Sequence, residues 1–465
     1  MKKIVLALLT GIMALSAIGQ EITGQWSGVL KIQGTQLRIV FNIKQTDGLL
    51  SATMDSPDQG AFGIPVSTVS FENPNLKIAV ATAGIEYEGV LENGNSIVGN
   101  FVQGGLAIPL NLSNEIIEIK KGKRPQEPVK PYQYYSEELT FENKSAGIVL
   151  AGTLTLPAEE GVFPAVVLIS GSGPQNRDEE VFGHKPFLVL SDFLTRNGIA
   201  VLRYDDRGTA SSTGDFGAAT TMDLSTDVEA AVAYFNTRKE IDKKKIGLIG
   251  HSEGGIIAPI VASRNDDIAF IVLLAGTAIP GDQLLLMQQQ LIANAMGVSD
   301  EELQKSHAIN SKIFELIVKS NEPEQLKTDL TEYLIQAFAS LPGFETPGGM
   351  SMDEYVKVQV EQLCSPWMLF FIKYNPALVL EQVKCPVLAI NGEKDLQVPP
   401  KENLEAIKKA LNKGGNIMVT TKELPGLNHL FQESSTGSPS EYGDIEQTFS
   451  PNALKVIFDW IQARL

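Results

Sequence analysis

Three residues carry the chemistry this chain could do: a serine set between glycines, an acid on a loop after an apolar run, and a histidine further on. The serine is Ser252, within Gly250-His251-Ser252-Glu253-Gly254. The apolar residues 245–249 precede it and the helix-like residues 255–262 follow, so the motif reads as a strand, a sharp turn and a helix. That geometry exposes a serine hydroxyl, and the glycines let strand and helix pack closely around it. A serine hydroxyl is a weak nucleophile at neutral pH. It needs a base, and the base needs a group that fixes its tautomer and balances its charge. Downstream, Asn391-Gly392-Glu393-Lys394-Asp395 follows the apolar residues 387–390, and Asp395 is the candidate acid, with Glu393 as its rival two positions earlier. His429, in Leu427-Asn428-His429-Leu430-Phe431, is the sole histidine beyond that acid.

The other histidines have weaker positions. His251 adjoins the serine but is expected to point off the elbow and pack. His184 lies near the loop after residues 165–169 and reads as a capping residue that could also touch substrate. His307 falls in a helical segment. Asp205 and Asp206, in Arg203-Tyr204-Asp205-Asp206-Arg207-Gly208, precede the serine and read as loop architecture with locally paired charges.

Several kinds of element must position these residues. Residues 20–119 show short alternating runs (26–30, 37–41, 76–80, 85–90) parted by Asp47-Gly48, Asn73-Pro74-Asn75 and Asn93-Gly94-Asn95, the pattern of an antiparallel β-domain, barrel-like or sandwich-like. Residues 120–131 (KKGKRPQEPVKP) are charged, proline-rich and aperiodic, and read as a solvated linker. From 132 to 465, apolar strand runs at 165–169, 200–203, 246–249 and 270–274 alternate with helical stretches, the signature of a parallel sheet covered on both faces. Residues 139–141 and 149–156 form a leading hairpin. A helical cap is expected over about 281–376, after which the sheet resumes at 387–390 and near 417–420 and closes with a helix over 451–465.

The serine, acid and histidine stretches resemble the corresponding loops of the α/β-hydrolase superfamily, especially bacterial two-domain serine esterases with an N-terminal β-domain that are related to prolyl-oligopeptidase-like hydrolases. The resemblance covers about 132–465 and, more loosely, the β-domain. It implies an α/β fold: a mostly parallel sheet flanked by helices, with an inserted helical cap and a small all-β domain before it. It assigns Ser252 as nucleophile, Asp395 as acid and His429 as base. It also implies an oxyanion hole of two backbone N–H groups, from Glu253 and from the loop Ser170-Gly171-Ser172-Gly173-Pro174. There Ser170 replaces the family's usual histidine and Ser172 becomes the donor, with Gly171 or Gly173 as alternatives. The expected activity is that of a carboxylesterase on a small-molecule ester. A serine peptidase of the prolyl-oligopeptidase-like branch is a second reading. A third is a glycan- or surface-binding protein acting through aromatics Trp26, Phe62, Tyr87 and Phe101.

Composition narrows the field. At 43% hydrophobic and 20% charged, the 465-residue chain has ample core for two or three domains. A net charge of −17 argues against nucleic acid and anionic membranes as partners. There is no phosphate loop, dinucleotide fingerprint or metal-ligand spacing, so neither cofactor nor metal is expected, and nothing specifies an oligomeric state. Lys2 and Lys3 followed by the apolar residues 4–17 and Ala17-Ile18-Gly19 read as a signal peptide over 1–19, which predicts a periplasmic or secreted protein. Cys364 and Cys385 could form one bridge or remain separate thiols.

Overall fold

The computed structural model describes residues 22–32, 35–57, 61–103, 106–115, 123–341, 344, 346 and 350–465. The expected signal peptide lies outside the described residues, as do residues 120–122 of the expected linker.

The N-terminal strands are β1 Gly24–Ile32, β2 Thr35–Thr46, β3 Leu49–Ser56, β4 Ala61–Pro65, β5 Thr68–Glu72, β6 Asn75–Val80, β7 Ile85–Glu92, β8 Ser96–Gln103, β9 Leu106–Pro109 and β10 Leu112–Ser113. They form one antiparallel sheet in the order β4-β3-β2-β1-β10-β8-β7-β6-β5, with β9 on β8. Its two end strands, β4 and β5, are joined directly through Val66 and Ser67, so the sheet curls around its own core. Period-two burial builds that core. In β7, Ile85, Tyr87 and Leu91 point in while Glu88, Val90 and Glu92 face water. The hairpin turns fall where Asp47-Gly48 and Asn93-Gly94 predict them, with Asp47 and Asn93 both at positive φ. Of the four aromatics singled out for binding, Trp26, Tyr87 and Phe101 fill the core and Phe62 alone is exposed.

The second sheet contains β11 Tyr135–Asn143, β12 Ile148–Leu156, β13 Phe163–Ile169, β14 Ala200–Tyr204, β15 Ile241–His251, β16 Ile268–Leu274, β17 Val387–Gly392 and β18 Val419–Leu424. The order is β11-β12-β14-β13-β15-β16-β17-β18. The β11–β12 and β12–β14 pairings are antiparallel and the rest parallel. This is the mostly parallel, helix-flanked sheet that the resemblance implies. Strand alternation feeds two cores. Ala165, Val167 and Ile169 of β13 face α2 (Thr221–Thr237), α3 (Gly254–Arg264) and α10 (Pro400–Lys413), whereas Val166 and Leu168 face α1 (Pro186–Arg196) and α11 (Pro451–Gln462). The last strand begins two residues later than the apolar run suggested. Ile417 and Met418 are exposed, and pairing with β17 starts at Val387↔Val419.

Between β16 and β17 the chain inserts α4 Gly281–Ala295, α5 Asp300–Lys319, α6 Pro323–Ala339, α7 Met352–Leu363, α8 Pro366–Lys373 and α9 Ala377–Leu380. Leu326, Leu330 and Leu334, four residues apart on α6, share a core with Ile313 and Ile317 of α5 and Val356 and Val360 of α7. Reciprocal capping boxes start α5 (Ser299 with Glu302) and α7 (Ser351 with Glu354). A second apolar cluster, Leu284 and Phe371 against Ile256 and Ile260, fastens the insertion onto α3.

The described part of the expected linker is exposed or half-buried throughout, but two of its side chains are anchored to the second sheet's loops. The Arg124 guanidinium donates to the carbonyls of Phe182, Gly183, Gly443 and Ile445. Gln126 bonds both ways with the backbone of Thr448 and Phe449. A composition that looks like a tether therefore supplies long side chains that satisfy loop carbonyls. Cys364 and Cys385 are both free thiols, and burial pushes that of Cys385 up to about 12.

Candidate active site

The elbow is built by close backbone approach. A Cβ at Gly250 would lie 2.0 Å from Gly254 O, one at Gly254 2.2 Å from Ile169 O, and one at Gly255 2.5 Å from Gly276 Cα. Only glycine fits these three positions, which lets β15, α3 and the ends of β13 and β16 converge. Between them Ser252 takes a φ of 52°, a left-handed conformation that is costly for a residue with a Cβ. Its N–H donates to Leu274 O at 2.8 Å, and its carbonyl accepts from Gly255 N.

The acid and histidine loops leave the same end of the sheet. Asp395 and His429 are both buried, and His429 Nδ1 bonds Asp395 Oδ2 at 2.8 Å. The other carboxylate oxygen of Asp395 accepts from the N–H groups of Gln397 and Val398, which fixes its direction. Asn391 holds the acid loop by donating to Val398 O and accepting from Gly392 N. Asn428 shapes the histidine loop by accepting from Leu430 N and Gln432 N. The rival acid, Glu393, is exposed and accepts from Gly426 N instead.

The loop after β13 lies against the serine, since a Cβ at Gly171 would stand 3.2 Å from Ser252 Cβ. Gly171 N, one of the alternative oxyanion donors, is committed to Glu179 Oε1 at 2.8 Å. Ser170 Oγ and Gln175 N both donate to the buried carboxyl of Asp206, whose pKa burial raises well above the usual value. Asp206 thus braces this loop. Its neighbours do pair, as Arg177 with Asp205, Arg203 with Asp178 and Arg207 with Asp227, but each partner comes from another segment.

The other histidines match expectation only in part. His251 is buried and packs against the rings of His429 and Phe431, but it is also hydrogen bonded at both ends, with Nδ1 2.9 Å from Glu179 Oε1 and Nε2 3.0 Å from His429 O. His184 does not cap α1, whose N-cap is Lys185. It lies buried between Thr448 Oγ1 and Tyr442 O, where burial pushes it down to about 4. His307 is in α5, on the insertion.

Sequence reasoning missed two contributors, Glu179 and Trp367. Trp367 Nε1, on α8, donates to Glu253 Oε1 at 2.9 Å, and Thr221 Oγ1 donates to the same oxygen at 2.6 Å. The insertion is thereby bonded to the residue after Ser252. Burial raises the pKa of Glu253, with the side chains of Thr221, Trp367 and Ser172 partly opposing it. Neither residue carries a sequence signal, because Glu179 sits in an aperiodic polar run and Trp367 in an apolar helix. Among the described residues there is no group of acidic, histidine or cysteine side chains that could hold a metal, and no helix is long and apolar enough to cross a membrane.

Residues 187–328 match the family model described as "Serine aminopeptidase, S33", a span that includes the elbow but neither Asp395 nor His429. Esterase EstD of Thermotoga maritima is 28% identical over 312 residues, which cover 66% of this chain and 65% of EstD. The chain thus matches just under two thirds of that relative's length. Among solved structures, the Pyrococcus furiosus esterase Pf2001 is similar at 18% identity and a TM-score of 0.42, covering 75% of this chain and 99% of its own. Est1E of Butyrivibrio proteoclasticus is similar at 16% identity and a TM-score of 0.38, covering 70% of this chain and 98% of its own.

Proposed function

We propose that this protein is a serine hydrolase acting on carboxylic esters. The observation that carries the reading is the buried Asp395–His429 bond on loops that share the sheet end with the strained Ser252. With Nδ1–H held by Asp395, the imidazole is fixed in the tautomer whose Nε2 can accept the serine proton. Ser252 attacks the acyl carbon while His429 takes that proton. The backbone N–H groups of Glu253 and Ser172 hold the oxyanion, the latter favoured because the Gly171 amide is engaged. His429 then protonates the leaving alcohol, and water repeats the cycle on the acyl-enzyme. The helices 281–380 act as a cap beside the elbow, and residues 1–19 direct export. Mass spectrometry of the mature N-terminus tests the last point.

The name of the matched family, serine aminopeptidase, favours amide cleavage by the same residues as a second reading. Hydrolysis of p-nitrophenyl esters and of aminoacyl and prolyl anilides, with Ser252→Ala as control, separates the two. Ester turnover that disappears in the variant, with silent anilides, supports the esterase. Strong anilide turnover moves the protein to the peptidases, and turnover surviving in Ser252→Ala overturns the serine mechanism. A role as an aromatic-faced glycan binder loses support because three of its four candidate aromatics are core residues.

A further inference from the structure

A second acid–imidazole pair lies beside the first. Glu179 Oε1 accepts from two groups, the N–H of Gly171 at 2.8 Å and Nδ1 of His251 at 2.9 Å. On its other side, His251 Nε2 is 3.0 Å from the carbonyl oxygen of His429. A carbonyl can only accept, and so can an ionised carboxylate, so both ring nitrogens of His251 face acceptors. The His251 and His429 rings are 4.8 Å apart between centroids. One carboxylate and one imidazole thus connect the loop after β13, the last residue of β15 and the loop after β18, the three segments that meet at Ser252.

We infer that Glu179 and His251 are positioning residues: a buried carboxylate–imidazolium pair that holds the oxyanion loop and the His429 loop in register with Ser252. The inference rests on the serine-hydrolase reading above. Glu179 keeps this place in a left-handed backbone conformation with a φ of 51°, and it is almost fully buried. Neither feature suits a surface carboxylate. The titratable groups facing His251 are Glu179, Asp395 and His429, from the loops after β13, β17 and β18. Burial alone would lower the His251 pKa, but Glu179, the His429 carbonyl and Asp395 together outweigh it and hold it above its usual value. Gly171 sits beside the pair and the serine: a Cβ there would stand 3.2 Å from Ser252 Cβ, 3.4 Å from Glu179 Oε1 and 3.6 Å from His251 Nδ1.

The pair acts through the geometry of others, so its loss should lower kcat more than it raises KM. Misplacement of reacting groups by about 1 Å can cost on the order of 10²-fold in rate. Glu179→Gln keeps the side-chain shape but removes the charge, and should lower kcat for a p-nitrophenyl ester by about 10- to 100-fold with KM little moved. Glu179→Asp should recover part of the loss. In His251→Asn a positive neighbour of His429 disappears, so the acidic limb of the kcat/KM profile should move to higher pH. Nitrogen-15 NMR of imidazole-labelled wild-type protein reads the protonation directly, without depending on turnover. The chain has four histidines, and single His→Gln variants assign them. Two protonated nitrogens on His251 at neutral pH are expected. A neutral His251 ring, or a folded Glu179→Gln with wild-type kcat and pH profile, overturns the inference while leaving the serine mechanism intact. Wild-type turnover that is absent or survives Ser252→Ala overturns that mechanism and the inference with it. If the variants fail to fold, the wild-type NMR still decides.

Discussion

Trp367 and Glu253 meet across the boundary between the helical insertion and the elbow, the indole N–H donating to the carboxyl at 2.9 Å. Glu253 directly follows the candidate nucleophile, so α8 is bonded to the residue whose amide is proposed to hold the oxyanion. Trp367→Phe keeps the aromatic stacking on Phe371 but removes the donor. Losing one hydrogen bond to a buried group costs about 1 kcal/mol, equivalent to roughly a fivefold rise in KM if the seated insertion is what binds substrate. Steady-state kinetics on a short-chain ester would show it. An unchanged KM would mean that the insertion stays seated through its apolar contacts alone.

The two acids of the loop after β17 should behave oppositely. Asp395→Asn presents an amide to His429 Nδ1 and favours the wrong tautomer. By analogy with triads generally, kcat should fall by about 10⁴-fold with the fold retained. Glu393→Gln alters a side chain that accepts from Gly426 N at the surface, and kcat should stay within about twofold of wild type, as for surface changes generally. Parallel kinetics and circular dichroism of the two variants test the assignment of Asp395 over its rival.

Much of this arrangement was legible in the chain because it is local. The elbow glycines, the Asp47-Gly48 and Asn93-Gly94 turns and the alternation of β7 and β13 each follow from a few neighbouring residues. The Asp395–His429 bond was legible because strands of a parallel sheet deliver their following loops to one end. What escaped is long-range. Glu179 meets His251 across 72 residues and Arg124 meets Ile445 across 321, pairings that no periodicity encodes. The charged composition of residues 120–131 suggested solvation, yet Arg124 satisfies four carbonyls and Gln126 bonds two neighbouring residues' backbone.

Arg124 should accordingly be a stability determinant. Arg124→Ala leaves the carbonyls of Phe182, Gly183, Gly443 and Ile445 without this donor and loosens the segment that leads into the second sheet. The expected loss is about 1–3 kcal/mol, the range for breaking a part-buried network. It would be seen as a lower midpoint in urea with earlier proteolytic nicking of residues 120–131. A midpoint equal to that of wild type would mean that water replaces the guanidinium at no cost.

Glu253 supplies a pH test of burial. Its folded pKa is raised, chiefly by desolvation, so the native state binds this proton more tightly than the unfolded chain does. Stability therefore falls as pH rises from the ordinary carboxylate range through the raised native value, because ionising the buried group costs more than ionising it in water. Glu253→Gln retains an acceptor for Trp367 and Thr221 and removes the titration. The variant should gain on wild type in melting temperature as pH is brought from acidic to neutral, with the difference smallest at the acidic end. Melting curves of the two proteins across that range test the sign. A difference that stays constant with pH would mean that Glu253 titrates alike in the folded and unfolded chains.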